Sequence, residues 1–309
     1  MKYALISSSR NEEKLIALTL DSVTRQAQLP ERWVIVDDGS SDRTGEIADS
    51  YAKQFPWINV VHNPRREGRS FAAKANNVNA AFAKLEAERV DFDVVGNLDT
   101  DTTFAPEYME FILGKMAADP KLGCAGTPFT QDGGYDSTKD SFEGENYVAG
   151  PIQLFRRDCF RDIGGYVGNP AGGVDWIAVM MARMKGWTVR SFSDLRYHHH
   201  RLMGTAERSE VKSLFSYGEK DYYLGNSPLW EIFRCTFRLA KKPYLAGGVA
   251  LFAGFCWAAI CRQKRPVSDE LVRFHRADQM NKLRNIFRSL LRLKKVDNFR
   301  VAGEAKETN

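Results

Sequence analysis

The feature that most constrains this chain is an alternation in its first hundred residues. Apolar runs of strand length at 3–7, 33–36, 58–62 and 93–98 alternate with segments of helical character. In 12–28 the residues Leu15, Ile16, Leu20 and Val23 recur at helical spacing, and 42–55 and the alanine-rich 70–88 also read as helices. This β-α-β order predicts a mostly parallel sheet with helices on both faces. In such sheets ligands bind beyond the carboxyl ends of the strands. Three of the runs lead directly into polar clusters: Ser7-Ser8-Ser9-Arg10-Asn11-Glu12, Asp37-Asp38-Gly39-Ser40 and Asp99-Thr100-Asp101. Turn chemistry accounts for any one of them. Three that converge on one edge, each rich in carboxylate or hydroxyl, point to a site.

The glycine fingerprints that cradle phosphate are missing. Neither GxGxxG nor GxxxxGK[ST] follows the first run, which argues against a dinucleotide dehydrogenase and a P-loop enzyme. A GxGxR start, expected of a nucleotidyltransferase, is also absent. The strand ends carry acids instead. Carboxylates hold a diphosphate through a divalent metal, which neutralises a phosphate leaving group. Asp99 and Asp101, one residue apart after a strand, suit that task.

VIVDDGSSDRT (34–44), Asn11-Glu12-Glu13, Asp99-Thr100-Asp101 and GGVDW (172–176) together resemble glycosyltransferase family 2, with the GT-A fold, over residues 3 to about 201. The resemblance implies an α/β fold: a mixed, mostly parallel sheet flanked by helices, binding a nucleotide-diphospho-sugar. It implies nucleotide-sugar contacts from Ser7, Glu12, Asp38, Arg69, Lys74 and Asp99, with Glu12 and Asp38 near the base. It places a divalent metal (Mn²⁺ or Mg²⁺) on Asp101 of the DxD motif. Asp175 matches the family's catalytic acid, usually preceded by Glu and here by Val174; its implied role is general base toward an acceptor hydroxyl, with inversion at the sugar. Asp175 also stands where a helix N-cap is expected. Many GT-A enzymes add a histidine ligand after the last core strand. Alternation from Leu195 and Tyr197 turns His199 toward the site and His198 and His200 away from it. Gly150–Arg157 and Ile163–Tyr166 resemble the acceptor-side segment, where Glu143 and Glu145 are candidates to face the acceptor. Processive members carry a QxxRW motif and several membrane spans; neither is present, so addition of a single sugar is expected.

Charge divides the chain. Residues 232–309 carry 17 Lys and Arg against 6 Asp and Glu, whereas the remainder is net negative. A basic tail suits phosphate, from lipid headgroups or nucleic acid. Its aliphatic content favours lipid: 229–239 and 283–293 mix Trp, Phe, Ile and Leu with arginine, as interfacial helices do. Residues 244–261 carry no charge, and Ala246, Ala250, Gly254 and Ala258 form a small-residue face. Basic flanks on both sides favour an interfacial or re-entrant segment over a span; a core helix is the alternative. Five scattered cysteines without a CxxC pair indicate a reducing compartment, and 3–6 is too short for a signal-peptide core.

The expected organisation is a catalytic domain at 1–204 (nucleotide half about 1–102, acceptor half about 103–204), a helical membrane-associating region at 205–300 and a disordered tail at 301–309. The expected activity is that of a metal-dependent, inverting, non-processive hexosyl- or N-acetylhexosaminyltransferase of bacterial surface-polysaccharide synthesis. It would use a UDP-sugar donor and a lipid-linked saccharide acceptor, at the cytoplasmic face of the inner membrane, docked through 229–296 and without nucleic acid. The alternatives are a polyprenyl-phosphate sugar transferase and a catalytically silent membrane adaptor.

Overall fold

The computed structural model describes residues 1–65, 71–132, 134–140, 144–169, 172–201 and 210–291. The chain divides into two units: Met1–Asp140 with Glu145–Pro170 and Val174–Arg201, and Ser141–Gly144 with Ala171–Gly173 and Leu202–Asn309. In chain order the first contains β1 (Tyr3–Ser9), α1 (Ile16–Thr24), β2 (Arg32–Asp37), α2 (Thr44–Ala52), β3 (Ile58–His62), α3 (Phe71–Ala87), β4 (Val94–Leu98), β5 (Thr102–Thr103), α4 (Tyr108–Ala118), β6 (Leu122–Gly126), β7 (Phe129–Gln131), β8 (Tyr135–Asp136), α5 (Ser137–Asp140), β9 (Ile152–Arg156), α6 (Arg157–Asp162), α7 (Val174–Met184), β10 (Thr188–Ser191) and β11 (Tyr197–His199).

The strands form a seven-stranded sheet in the order β10-β6-β9-β4-β1-β2-β3 and a smaller sheet in the order β5-β11-β7-β8. Strands β1, β2, β3 and β4 are parallel, as the alternation predicts. The central strands β1, β2 and β4 are buried almost throughout because both faces are covered, whereas β3, at the sheet edge, is mostly only partly buried. Tyr3 and Leu5 enter one core with Ile16 and Leu20 of α1 and Tyr108, Ile112 and Met116 of α4. Ala4 and Ile6 enter the other with Val78 and Leu85 of α3, Phe160 of α6 and Ala178 of α7.

Several boundaries differ from the sequence reading for local reasons. Helix α1 starts at Ile16, not at 12, because residues 12–15 form a turn in which the amides of Leu15 and Ile16 both donate to the Glu12 carbonyl. Asp42 accepts from the Thr44 amide at 3.0 Å, so α2 starts after it. Helix α4, in a stretch to which the sequence reading assigned nothing, fills one face of the sheet. The sheet is mixed and mostly parallel, as expected, and its antiparallel member is β9, which runs against both neighbours, β4 and β6. Its first residue, Ile152, therefore pairs with Leu98 at the edge where β4 ends. The Asp99 amide donates to Pro151 O at 2.8 Å and Asn97 Nδ2 to Gly150 O at 2.8 Å, which fixes that junction.

The second unit contains α8 (Glu210–Tyr223), α9 (Pro228–Leu239), α10 (Ala246–Ile260) and α11 (Asp269–Leu291). Helices α8 and α10 touch backbone to backbone: a Cβ on Gly254 would lie 2.0 Å from the Phe215 carbonyl oxygen. The small-residue face of α10 is turned inward at Ala250, Gly254 and Ala258, while Ala246 is exposed. The Asn226 amide donates to Glu231 at 3.0 Å, and His275 and Gln279 of α11 converge on Asn226. Among the described residues, no helix is long and apolar enough to cross a membrane. The expected tail at 301–309 lies outside the described residues.

Candidate active site

The carboxyl ends of β1, β2 and β4 meet at one edge, and side chains stitch their loops together. Asn11, at φ 54°, accepts from the Ser41 amide at 2.9 Å, and the Glu12 amide donates to Thr44 Oγ1 at 2.7 Å. Asp37 accepts from the Ser40 amide at 3.1 Å and closes the turn after β2. Gly39 holds that turn at φ 68°; a Cβ there would lie 2.5 Å from the Pro64 carbonyl oxygen, so glycine is required on both counts. Asp38 is buried in the turn, its amide donating to Ser9 O at 2.8 Å. A buried contact of 2.9 Å between the hydroxyls of Ser9 and Thr100 ties β1 to the loop after β4.

That loop holds the charged centre. Lys74, from α3, donates to Asp99 Oδ1 at 2.5 Å. Asp101 is 7% exposed and lies beside His199, with Nε2 3.4 Å from Oδ1. Tyr197 and His199 are buried, whereas His198 and His200 are partly exposed. The Gln131 amide nitrogen meets His199 Nδ1 at 2.8 Å and fixes the ring. Arg201 bridges the loops: its guanidinium reaches Glu12 at 2.6 Å and Asp101 at 3.8 Å.

Burial and mutual charge set the protonation of these groups. Burial pushes the Asp99 carboxyl up and Asp101 adds to this, outweighing Lys74. Burial also pushes Asp101 up, but the adjoining imidazole of His199, with Arg201 and Lys74, brings it below the usual carboxylate range. Burial pulls Lys74 down, yet Asp99, Asp175 and Asp101 together hold its pKa above the usual value. His199 is pulled down by burial and raised further by Asp101 and Asp99, for a net upward shift.

Asp175 approaches from the other half of the sheet. It stands in the first turn of α7, and Tyr147 donates to its Oδ2 at 2.9 Å. Gly150, brought to the edge by antiparallel β9, packs so closely that a Cβ would meet Asp175 Oδ2 at 2.7 Å. The charge of Asp175 is felt at Lys74, so the two halves contribute to one electrostatic centre.

The structure thus brings Glu12, Lys74, Asp99, Asp101 and His199 together, with Asp38 in the adjoining turn and Asp175 across the edge. It does not bring Ser7 to them. The Ser7 side chain points into the core, where its hydroxyl accepts from the Trp33 indole at 3.0 Å. Arg69 and Glu143 lie outside the described residues. Glu145 pairs with Arg190 at 3.3 Å. Arg201, Tyr147 and Gln131 were missed by sequence reasoning. None sits in a recognisable motif, although Arg201 directly follows the three histidines.

The donor set fits a hard divalent cation. Asp101 Oδ1 is buried and accepts no well-formed hydrogen bond, and it adjoins an imidazole nitrogen. Among the described residues, Lys74 and Arg201 are the permanent cations paired with these acids, at Asp99, Glu12 and Asp101. Carboxylate oxygens with one imidazole suit Mn²⁺ or Mg²⁺.

A family model described as "Glycosyl transferase family 2" matches residues 5–169. A probable glycosyltransferase, YdaM of Bacillus subtilis, is 30% identical over 128 residues, 40% of this chain and 28% of the relative. The first curated relatives are matched over about a third of their own length (28%, 32% and 29%). A mannosyltransferase from Pyrobaculum calidifontis, solved with GDP-Man and Mn²⁺, superposes with a TM-score of 0.55 at 17% identity, covering 97% of this chain and 85% of the other. Staphylococcus aureus TarS 1–349, solved with UDP-GlcNAc, gives 0.54 at 17% identity, covering 97% and 90%. At these identities the likeness concerns the fold.

Proposed function

The chain belongs to glycosyl transferase family 2, and on that premise we propose that it moves one sugar from a nucleotide-sugar, a UDP-sugar in the first instance, to a hydroxyl of a lipid-linked saccharide, with inversion at the anomeric carbon. The observation that carries this reading is the junction at β9, which sets Asp175 against Gly150 beside the Lys74–Asp99 pair. The fold is shared with structures that hold a nucleotide-sugar, one of them with Mn²⁺.

Asp101 and His199 would hold a divalent cation, assisted by Asp99, and the cation would neutralise charge growing on the departing diphosphate. Lys74 and Arg201 supply fixed positive charge at the same place. Glu12 and Asp38, in the stitched loops after β1 and β2, face the nucleoside. Asp175 accepts the proton of the acceptor hydroxyl. Tyr147 occupies one carboxylate oxygen and holds the rotamer. The acceptor oxygen bonds to the anomeric carbon as the bond from that carbon to the diphosphate oxygen breaks, and the nucleoside diphosphate leaves with the electron pair. Attack opposite the leaving group inverts the centre.

Apolar side chains exposed on the second unit support membrane docking through 229–296. On α9 and α10 these include Leu229, Ile232, Val249, Trp257 and Ile260, each at least half exposed, with Tyr244 and Leu245 between the helices. Lys241, Lys242 and Arg262 flank α10. Basic residues beside an apolar face bind anionic interfaces. These features support the reading that the enzyme works at the cytoplasmic face of the membrane.

The test is nucleoside-diphosphate release by the full chain in detergent. It is offered UDP-, GDP- and dTDP-sugars with Mn²⁺, Mg²⁺ or EDTA, and with a lipid-linked saccharide or a polyprenyl phosphate as acceptor. Metal-dependent release with one donor, stimulated by the saccharide and abolished by Asp175→Asn, is expected. Stimulation by polyprenyl phosphate alone would replace the acceptor assignment. Full activity in Asp175→Asn would remove the general base.

A further inference from the structure

The face of the small sheet opposite His199 carries a second set of donors. His198 pairs across β11 with Thr103 of β5 and Thr130 of β7. Because side chains alternate along a strand, His198 and His200 share the face that His199 leaves. Their rings stand 4.7 Å apart and nearly perpendicular, at 75°. Asp132, just beyond β7, reaches His198 Nε2 at 3.1 Å. One donor atom from each of Asp132, His198 and His200 lies within 4.8 Å of the others. We propose that these three residues bind a transition-metal ion of the zinc class, at a site separate from the sugar-transfer centre.

The surrounding contacts suit such an ion. Thr130 Oγ1 lies 3.2 Å from His198 Nδ1, and Thr103 Oγ1 lies 3.0 Å from His200 Nε2. With metal bound, each hydroxyl oxygen would accept an N–H from that ring nitrogen, fixing the tautomer and leaving the other nitrogen of each ring for the ion. Two imidazoles and a carboxylate leave a fourth tetrahedral position for water, the pattern of three-ligand zinc sites. Such a set selects against Mg²⁺, which prefers oxygen ligands and octahedral geometry. Asp132 is 70% exposed and His198 32%, so an ion enters directly from solvent. Bound metal would clip the end of β7 to β11. His200 donates its amide to Asp101 O at 2.9 Å, so the clip lies one backbone step from the sugar-transfer centre. Its role is to hold the strand that presents His199 and Arg201.

The experiment uses the full chain without a polyhistidine tag, titrated with Zn²⁺ alone. Asp101→Asn serves as the background, to remove the other ion. One Zn²⁺ bound per chain, with a raised melting midpoint, is expected there, and no such rise with Mg²⁺. Adding His198→Gln or His200→Gln should abolish the bound equivalent, while circular dichroism shows an intact fold. Thr130→Val should weaken binding by about 10- to 100-fold, as loss of an outer-shell partner does. Co²⁺ should give the intense visible bands of a four-coordinate site. Less than one equivalent in the Asp101→Asn chain, or binding indifferent to both histidine changes, overturns the proposal. The readout is binding, so it stands or falls independently of the sugar-transfer reading.

Discussion

Gly150→Ala probes the proposed general base without altering a catalytic group. The new Cβ would lie 2.7 Å from Asp175 Oδ2 and 2.9 Å from Asp175 Cβ, where ordinary contact begins at 3.4 Å. The carboxylate tip can rotate away, but the Cβ is anchored to α7. Restoring contact therefore displaces the start of that helix, or the Gly150 backbone, by about 0.5 Å or more. Overpacking of this kind costs about 1–3 kcal/mol, so the chain should still fold, with a lowered melting midpoint. Misplacing a reacting group by about 1 Å costs on the order of 100-fold in rate. The expected result is a loss of about 10- to 100-fold in kcat, larger than any change in donor KM, because the atoms nearest the new Cβ all belong to Asp175. Asp175→Asn sets the limit, about 10²- to 10⁴-fold for a lost general base. The assay is initial-rate nucleoside-diphosphate release at saturating donor and acceptor, beside a thermal melt. Wild-type kcat in a folded Gly150→Ala chain would refute the reasoning, because the base would then tolerate a shift that the geometry forces. A combined Gly150→Ala, Asp175→Asn chain should be no slower than Asp175→Asn alone.

Three further outcomes follow from the same structure. Arg201→Ala removes charged hydrogen bonding worth about 1.5–3 kcal/mol, so donor kcat/KM should fall by about 10- to 100-fold; an unchanged value would exclude Arg201 from the donor site. The buried Glu231 carboxyl is pushed up to about 7, by burial first and then by Asp221, against Arg234, Asn226 and Cys235. Its folded pKa exceeds the unfolded value, so its contribution is complete below about pH 4.5 and is lost as pH rises through about 7, by up to roughly 3 kcal/mol. Glu231→Gln should flatten that decline in a denaturation series, and an identical pH profile would refute the assignment. Gly254→Ala drives a Cβ to 2.0 Å from the Phe215 carbonyl oxygen, so the α8–α10 contact must open; a melting midpoint unchanged from wild type would show that the helices do not meet there.

Much of the nucleotide half was legible because its signals are local. A two-residue period marks a strand and a 3.6-residue period a helix, and both are read within a dozen residues. Acid clusters directly after parallel strands must share an edge, so Glu12, Asp38, Asp99 and Asp101 could be placed from order alone. Ser7 shows the limit of that argument. It begins the same polar cluster as Glu12, yet it is still within β1, where alternation turns it into the core toward Trp33. Tyr197 and His199 share a face for the same period-two reason, and the sequence anticipated that pairing.

The sequence by itself determined the β-α-β order, the edge at which the polar clusters gather and the acids placed there, because each follows from chain neighbours and from the fixed handedness of crossovers. Only the tertiary structure decided how the second half completes the site. Antiparallel β9 reverses direction between β4 and β6, and this sets Gly150 against Asp175 and Tyr147. Arg201 meets Glu12 across 189 positions of sequence. Pairings of that kind depend on register and burial across the whole sheet, and no periodicity along the chain encodes them.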